Sequence, residues 1–165
     1  MIISTNMNNR HHIEIDRLRV VRQAAMESAY TAVKRADANE LCDTVPIVEA
    51  DEEMITVIWM KSCAQLLTFL RTHLRRNDGF VLSAQYDENA FRALLTYCSE
   101  TPCTALDTAM ATYLAKDILA EWMSMALPER EPACRAAAEQ VLLTIEQYIA
   151  TLRRPLRVRK RMEIV

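Results

Sequence analysis

Residues 51–86 read DEEMITVIWMKSCAQLLTFLRTHLRRNDGFVLSAQY, and this stretch decides the fold predicted for the chain. Its acidic start favours a helix that begins after Asp51, because carboxylates cap and stabilise the first turn. The side chains expected on the buried face recur at spacings of four and three: Ile55, Trp59, Ser62, Leu66, Phe69 and His73. The pattern predicts a helix to about Arg76, ended by Gly79 in the left-handed conformation. Residues 80–86 then read as a short strand or extended link.

Gly79 is the only glycine among the 165 residues. A chain with one glycine cannot be built from many tight turns, so we expect mostly long helices. The apolar spacings predict helices at 17–35, 51–76, 87–99, 103–126 and 132–153. The short segment 13–15 is expected to be extended. The predicted class is all-α, a bundle of four to five helices with one short extended segment near 80–86 and a basic C-terminal arm.

The same spacings predict the buried face of the first helix and the residues at the centre of the core. Asp16 is a good N-cap for the first helix. That helix is expected to turn inward the residues Leu18, Val21, Ala25, Ser28 and Ala32. The residues expected in the centre of the core are Leu66, Leu114, Trp122, Val141 and Ile145.

The charge distribution divides the chain into three parts. Residues 1–12 are polar and are expected to form a flexible N-terminal segment, 13–152 the helical domain, and 153–165 a basic arm. The net charge is −2. The last thirteen residues carry six bases and one acid, Glu163, a local charge of +5, which leaves −7 on the rest. Such a body repels nucleic acid, while the arm attracts an anionic surface.

The arm is the one segment whose sequence predicts a binding role. The residues assigned to partner binding and assembly are Arg153, Arg154, Leu156, Arg157, Val158, Arg159, Lys160 and Arg161. Its target is either DNA phosphate, contacted without base specificity, or an acidic face of another copy of the chain. Alternation of Leu156 and Val158 with arginines favours the second target, because a strand added to a sheet edge uses alternate apolar side chains.

Residues suited to catalysis or metal binding are few. The only histidines are His11, His12 and His73, and none lies in a metal-binding spacing, so we expect no metal and no cofactor. His73 is interpreted as a packed or helix-capping residue. Asp117 and Glu121 lie four apart on one helix face, as a general acid–base pair could, but they are interpreted as a solvated helix edge. We therefore predict that the chain is not an enzyme.

The five cysteines and the hydropathy indicate the compartment. None of the cysteines forms a C-x-x-C pair, and residues 1–12 lack the apolar core of a signal peptide. We expect free, mostly buried thiols in a reducing cytoplasm. The most apolar stretch, 54–70, is interrupted by Lys61, so no membrane span is predicted.

From about residue 13 onward the chain resembles the small, mainly helical structural proteins of prophage virion gene clusters, of the head–tail connector or neck type. The segments that carry the resemblance are, in chain order, Ile15-Asp16-Arg17-Leu18-Arg19, Ser28-Ala29-Tyr30-Thr31, Asp51-Glu52-Glu53, Trp59 with Ala64, Phe80-Val81-Leu82-Ser83, Tyr113-Leu114, Leu119-Ala120-Glu121-Trp122 and Arg153-Arg154-Pro155. Between 87 and 103 the chain departs from the compact version of the pattern.

The resemblance implies a non-enzymatic virion component, made in the host bacterial cytoplasm, that forms a ring joining portal and tail. Its partners would be neighbouring copies of itself, the portal and tail proteins, and DNA contacted without sequence preference. Two other classes stay open. One is a cytoplasmic nucleic-acid-associated helical adaptor, and the other is an enzyme whose site the sequence does not reveal.

Overall fold

The computed structural model describes residues 9–36, 46–99 and 101–153. Within these ranges the elements are, in chain order, β1 (Asn9–Asp16), α1 (Arg17–Ala36), α2 (Glu52–His73), β2 (Val81–Tyr86), β3 (Ala90–Tyr97), α3 (Thr104–Ala126) and α4 (Glu131–Leu152). Single 3-10 turns precede α2, β2 and α4, at Glu49–Asp51, Arg76–Asp78 and Pro128–Arg130. The predicted all-α class is wrong, because the four helices are joined by a three-stranded antiparallel sheet in a mixed α/β fold.

The segment predicted as a short helix after Asp87 is instead the second strand of a hairpin. The Asp87 carboxylate was expected to cap that helix. Its Oδ1 accepts hydrogen bonds from the backbone N–H groups of Asn89 and Ala90, at 2.8 and 2.9 Å, and closes the turn between β2 and β3. The same local bonding serves a turn and a helix start. What decides for the strand is the alternation of buried residues in β3: Phe91, Ala93, Leu95 and Tyr97.

The sheet has the order β1-β3-β2, so that β3 is central and both neighbours are edge strands. The register pairs Ile13 with Ala93 in one ladder and Ala84 with Ala93 in the other. The predicted extended piece at 13–15 is thus part of an eight-residue strand, which includes residues 9–12 of the segment expected to be flexible. One face of the sheet packs against the helices, and its other face carries the exposed side chains.

Helix α1 starts where predicted, but its buried stripe is shifted by one residue in the first half of the helix, while Ser28 and Ala32 are buried as predicted. Asp16 precedes it, and Asp16 Oδ1 accepts a hydrogen bond from the Leu18 N–H at 3.4 Å. The buried residues of α1 are Val20, Ala24, Ser28 and Ala32. This stripe has a strict spacing of four, and the prediction, which began at Leu18, was one residue out of phase until Ser28. Leu18 is exposed as a result.

Helix α2 ends at His73, three residues before the predicted end, because Leu74 leaves helical geometry and is buried. The prediction that Gly79 ends this helix was wrong, but its predicted left-handed conformation is confirmed. Gly79 has φ 90° and accordingly occupies the left-handed region. The Gly79 N–H donates to the Arg76 carbonyl at 3.1 Å and the Phe80 N–H to the Arg75 carbonyl at 3.3 Å, a Schellman arrangement that ends the 3-10 turn.

Helix α3 is the centre of the molecule and contacts α1, α2, α4 and β1. Most of its side chains are buried, as expected for a helix surrounded by others. Of the five residues predicted for the centre of the core, Leu66, Leu114, Trp122 and Ile145 are buried, and Val141 is half-buried against the same cluster. No helix within the described ranges is long and apolar enough to cross a membrane.

Candidate assembly surface

Only the first residue of the predicted arm lies among the described residues. Arg153 follows α4 directly, and its Nε lies 4.0 Å from Asp78 Oδ2. Asp78 precedes β2 by three residues, so the chain leaves α4 at the end of the sheet where β2 begins. The other residues assigned to the arm lie outside the described residues: Arg154, Leu156, Arg157, Val158, Arg159, Lys160 and Arg161. Their role as a partner-binding arm stays a prediction.

The direction of the backbone groups in the sheet follows from two hydrogen bonds at the strand ends. The Asp87 N–H donates to the Ala90 carbonyl at 3.0 Å, and the Arg17 N–H donates to the Asn89 carbonyl at 2.9 Å. Residues that exchange bonds in an antiparallel pair alternate with residues that do not. Even-numbered residues of β3 therefore point their backbone groups at β2, and odd-numbered ones point at β1.

On β2 this alternation leaves the backbone groups of Leu82, Ala84 and Tyr86 directed away from β3. Among the described residues, no strand pairs with this outer edge. The side chains of the same three residues are half-buried and face the helices, while those of Val81, Ser83 and Gln85 are exposed. An edge strand of this kind offers hydrogen bonds and a partly formed apolar face to another extended chain.

The charges around the two edges differ. β2 itself contains no charged residue, although edge strands are usually protected by charges, proline or bulges. Acidic residues flank it on both sides, Asp78 before and Asp87 with Glu88 after it, although Arg75 and Arg76 also precede it and Arg92 pairs with Asp87. The outer strand on the other side, β1, contains Arg10 together with Glu14 and Asp16. A cationic segment added to the outer edge of β2 would meet no like charge on the strand itself.

Comparisons with protein-family models, with curated proteins and with solved structures found no match.

A second exposed surface lies on α1. Met26, Tyr30 and Val33 follow one another at spacings of four and three, and their exposed fractions are 74%, 62% and 59%. Beside Met26 and Tyr30, a groove of about 490 Å³ runs between α1, α3 and α4, and Lys116 and Arg130 are among its lining residues. Large apolar side chains in a row on an exposed helix face are typical of protein–protein contacts. We name Met26, Tyr30 and Val33 the α1 face.

Five charged residues and one serine form a network between α2, α3 and α4, which we call the ionic cluster. Its members are Lys61, Ser62, Asp117, Glu121, Glu131 and Arg135. Arg135 lies at its centre. Its Nη1 donates to Asp117 Oδ1 at 3.0 Å, its Nη2 to Glu121 Oε1 at 2.9 Å and its Nε to Glu131 Oε1 at 3.1 Å. The guanidinium group links α4 to α3, and Ser62 and Lys61 link α3 to α2.

The remaining oxygens of the two carboxylates of α3 are also engaged. Ser62 Oγ donates to Asp117 Oδ2 at 2.6 Å, and Lys61 Nζ lies 3.0 Å from Glu121 Oε2. Every carboxylate oxygen of Asp117 and Glu121 therefore has a partner within the chain. The arrangement fixes the packing of the three helices against one another.

The environment shifts the pKa values of these two carboxyl groups in opposite directions. Burial raises the pKa of Asp117 above its usual value, against the effect of the Ser62 hydrogen bond and the Arg135 charge. Burial acts in the same direction on Glu121, but hydrogen bonds from Lys61 and Arg135 outweigh it and lower the pKa. The interpretation of Asp117 and Glu121 as a solvated helix edge was wrong, since Asp117 is 2% exposed.

A sequence signal for this cluster existed. Asp117 stands within the run from Tyr113 to Met123, in which most residues are apolar. A helix that is apolar on all sides buries its charged residues, and a buried carboxylate requires a cation. The cation could not be identified in advance, because Arg135 reaches the site only through the packing of α4 on α3.

Two of the histidines, His73 and His11, behave as packed or paired residues. His73 Nδ1 lies 2.9 Å from the Phe69 carbonyl and the two rings stack at 4.1 Å, which confirms the packed, capping interpretation. His11 Nε2 lies 2.7 Å from Asp107 Oδ1. The described part of the chain contains no group of three or more His, Cys, Asp or Glu side chains able to hold a metal ion.

The cysteines described by the structure form no disulfide. Cys63 and Cys103 are buried, and Cys98 and Cys134 are at least partly exposed. Burial, with a smaller effect of the Asp87 charge, raises the pKa of Cys63 to about 12. Burial and the Asp107 charge likewise raise the pKa of Cys103 to about 12. Thiols of such high pKa are poor nucleophiles at neutral pH.

Proposed function

We propose that this chain is a non-enzymatic structural subunit of a phage virion, a head–tail connector or neck component that joins portal and tail. The observation that carries the assembly role is the α1 face. The connector role rests on the resemblance of its segments to that type of virion protein, and the virion is accordingly the proposed location.

The α1 face supports assembly because α1 already buries another stripe inside the molecule. Val20, Ala24 and Ser28 fill the inner side, so Met26 and Tyr30 are not needed for the core of the monomer. Large apolar side chains that remain in water gain free energy when a partner covers them, about 25 cal/mol per Å² of apolar surface. A single-chain role gives no reason to keep three of them in a row.

Two unlike surfaces on one subunit favour a ring. A contact between the basic arm of one copy and the acidic body of the next is heterologous, head to tail, because two different surfaces meet. Opposite net charges on the body and the arm favour the same arrangement, since the acidic body of one copy attracts the basic arm of the next. Heterologous contacts produce rings when the rotation between copies closes.

The test is incorporation into particles. Virion-like particles are purified from cells of the source bacterium, and peptides of this chain are measured by mass spectrometry. We expect the wild-type chain in the particles, and the variant Met26→Glu with Tyr30→Glu to be depleted at least about tenfold, because charges are costly in an apolar contact. The matched control is Thr68→Glu, which places a charge on an exposed position of α2.

Absence of the wild-type chain from particles would refute the virion role. Equal incorporation of the α1-face variant and the control would refute the role of the α1 face alone. Circular dichroism of each purified variant must first show unchanged helical content. A stable monomer that retards DNA in a salt-dependent gel shift and is missing from particles would instead support the nucleic-acid-associated adaptor.

A further inference from the structure

The outer edge of β2 has no partner strand among the described residues. Six residues without a charge, a proline or a bulge leave the backbone groups of Leu82, Ala84 and Tyr86 directed outward. Such an edge is a template for any extended chain and a hazard for aggregation. We propose that in the isolated protein the C-terminal arm of the same chain, residues 155–161, occupies this edge as a fourth strand parallel to β2.

The point at which the arm leaves α4 carries the argument. Arg153 lies within 4.0 Å of Asp78, and β2 begins three residues after Asp78. Three extended residues span about 10 Å, so Leu156 can reach the beginning of the edge without any change in the described structure. A strand that starts there and runs along β2 is parallel to it, and α3 and α4 form part of the connection that a parallel pair requires.

The side-chain pattern of the arm matches the two faces of β2. Leu82 and Ala84 are half-buried on the inner face. In an added strand, Leu156 and Val158 lie on the same inner side and extend the apolar layer, while the alternating arginines remain in solvent. The acidic residues flanking β2 then stand at both ends of a cationic strand.

This inference goes beyond the proposed function and concerns the chain before it meets a partner. An arm held on its own edge keeps the edge closed. The same arm can later be exchanged for that of a neighbouring copy, as in domain swapping. The assembly role and the intramolecular strand can therefore be refuted independently of each other. The first is tested on purified particles and the second on the isolated monomer.

Amide hydrogen exchange of the isolated monomer, measured by nuclear magnetic resonance, tests the proposal. The full chain is compared with a chain that ends at Arg153. The amides of Leu82, Ala84 and Tyr86 should exchange at least about tenfold more slowly in the full chain, because the arm accepts their hydrogen bonds. Those of Val81, Ser83 and Gln85 should be protected in both chains, since they donate to β3, and they serve as the internal control.

A second pair of variants separates strand addition from charge alone. Leu156→Asp with Val158→Asp should release the three amides as fully as truncation does, whereas Arg157→Gln with Arg159→Gln should keep most of their protection. Equal exchange in the full and truncated chains would overturn the proposal. So would protection that is lost on tenfold dilution, because the occupant would then be the arm of a second copy.

Discussion

The ionic cluster and the outer edge of β2 are two polar regions treated in opposite ways. In the cluster, Arg135 is bonded to three carboxylates, and each oxygen of Asp117 and Glu121 has a partner inside the chain. At the edge, the described residues provide no partner strand for the backbone of Leu82 and Ala84.

The difference separates residues that hold the monomer together from residues available to something else. Buried charges are tolerated where every one is matched, and removing one partner leaves the others uncompensated. An edge strand can remain open because water satisfies its groups until a chain replaces it. Stability should therefore respond strongly to changes in the cluster and weakly to changes at the edge.

The largest expected effect comes from Arg135→Met. This change keeps much of the side-chain volume but leaves Asp117, Glu121 and Glu131 without their shared cation. We expect a loss of about 3–5 kcal/mol in the free energy of unfolding, measured by urea denaturation. Arg71→Met, an exposed arginine of α2, is the control and should cost less than about 0.5 kcal/mol. Equal losses in the two variants would contradict the assignment of Arg135 as the centre of the cluster.

Packing on the same helix provides the next test. Ile145 is fully buried in α4, whereas Leu143, two residues earlier, is 52% exposed. Ile145→Ala should lower the free energy of unfolding by about 2–5 kcal/mol, because it removes buried methyl groups and leaves a cavity. Leu143→Ala should cost clearly less. An unchanged denaturation midpoint for Ile145→Ala would show that the inward face of α4 is misassigned.

The contribution of the Glu121 charge to stability should depend on pH. Lys61 and Arg135 lower the folded-state pKa of Glu121 below its usual 4.5, so its ionised form stabilises the fold above that pH. This stabilisation is lost as the pH falls through the lowered folded value. The difference in unfolding free energy between wild type and Glu121→Gln should therefore be largest near about pH 7 and shrink toward about pH 3. A difference independent of pH would indicate that the charge of Glu121 contributes nothing.

The smallest effect is expected at the edge. In the chain ending at Arg153, Ala84→Pro removes an N–H that points away from β3, so it should cost about 1 kcal/mol or less. Ser83→Pro removes a donor from the ladder to β3 and should cost at least about 1 kcal/mol more. Thermal unfolding of the two variants ranks them. The reverse order would show that the backbone groups of β2 alternate the other way.

Most of the helical structure could be predicted from the sequence, because apolar spacing and boundary residues are local signals. The left-handed backbone predicted for Gly79 is confirmed, but Gly79 ends a 3-10 turn, and α2 itself ends at His73. The last helix was predicted to begin at residue 132, and Pro132 lies in the first turn of α4. The face that α1 buries was harder to predict, since small residues such as Ala24 and Ala25 are nearly equivalent as packing partners.

The sheet was not predicted, because residues 90–97 of the central strand were assigned to a helix. In the sequence AFRALLTY, the apolar residues Phe91, Ala93, Leu95 and Tyr97 alternate with a period of two, as in a strand. Leu94 lies between two of them, and this additional apolar residue is also compatible with a helix. Asp87 also favoured the helix, because the carboxylate of an aspartate accepts backbone N–H hydrogen bonds both at a helix start and in a turn. The partner strands that decide the matter, β1 and β2, are distant in sequence or short.

The two candidate surfaces differ in how far the sequence reveals them. The charge and alternation of the arm are visible in the sequence, but its relation to Asp78 and β2 depends on where α4 ends in space. The α1 face could not be distinguished from a buried stripe, because exposed and buried apolar residues look alike on one helix. The ionic cluster required the packing of α3 on two other helices.

A side chain of α2 fastens the hairpin turn to the helices. Trp59 is fully buried in α2, and its Nε1–H donates to the Asp87 carbonyl at 2.8 Å. The β2–β3 turn therefore cannot swing independently of α2. A strand that joins the outer edge of β2 meets a preorganised surface, and only the incoming segment has to lose conformational entropy. Binding at this edge then depends on the stiffness of a tryptophan-anchored turn as much as on the charges around it.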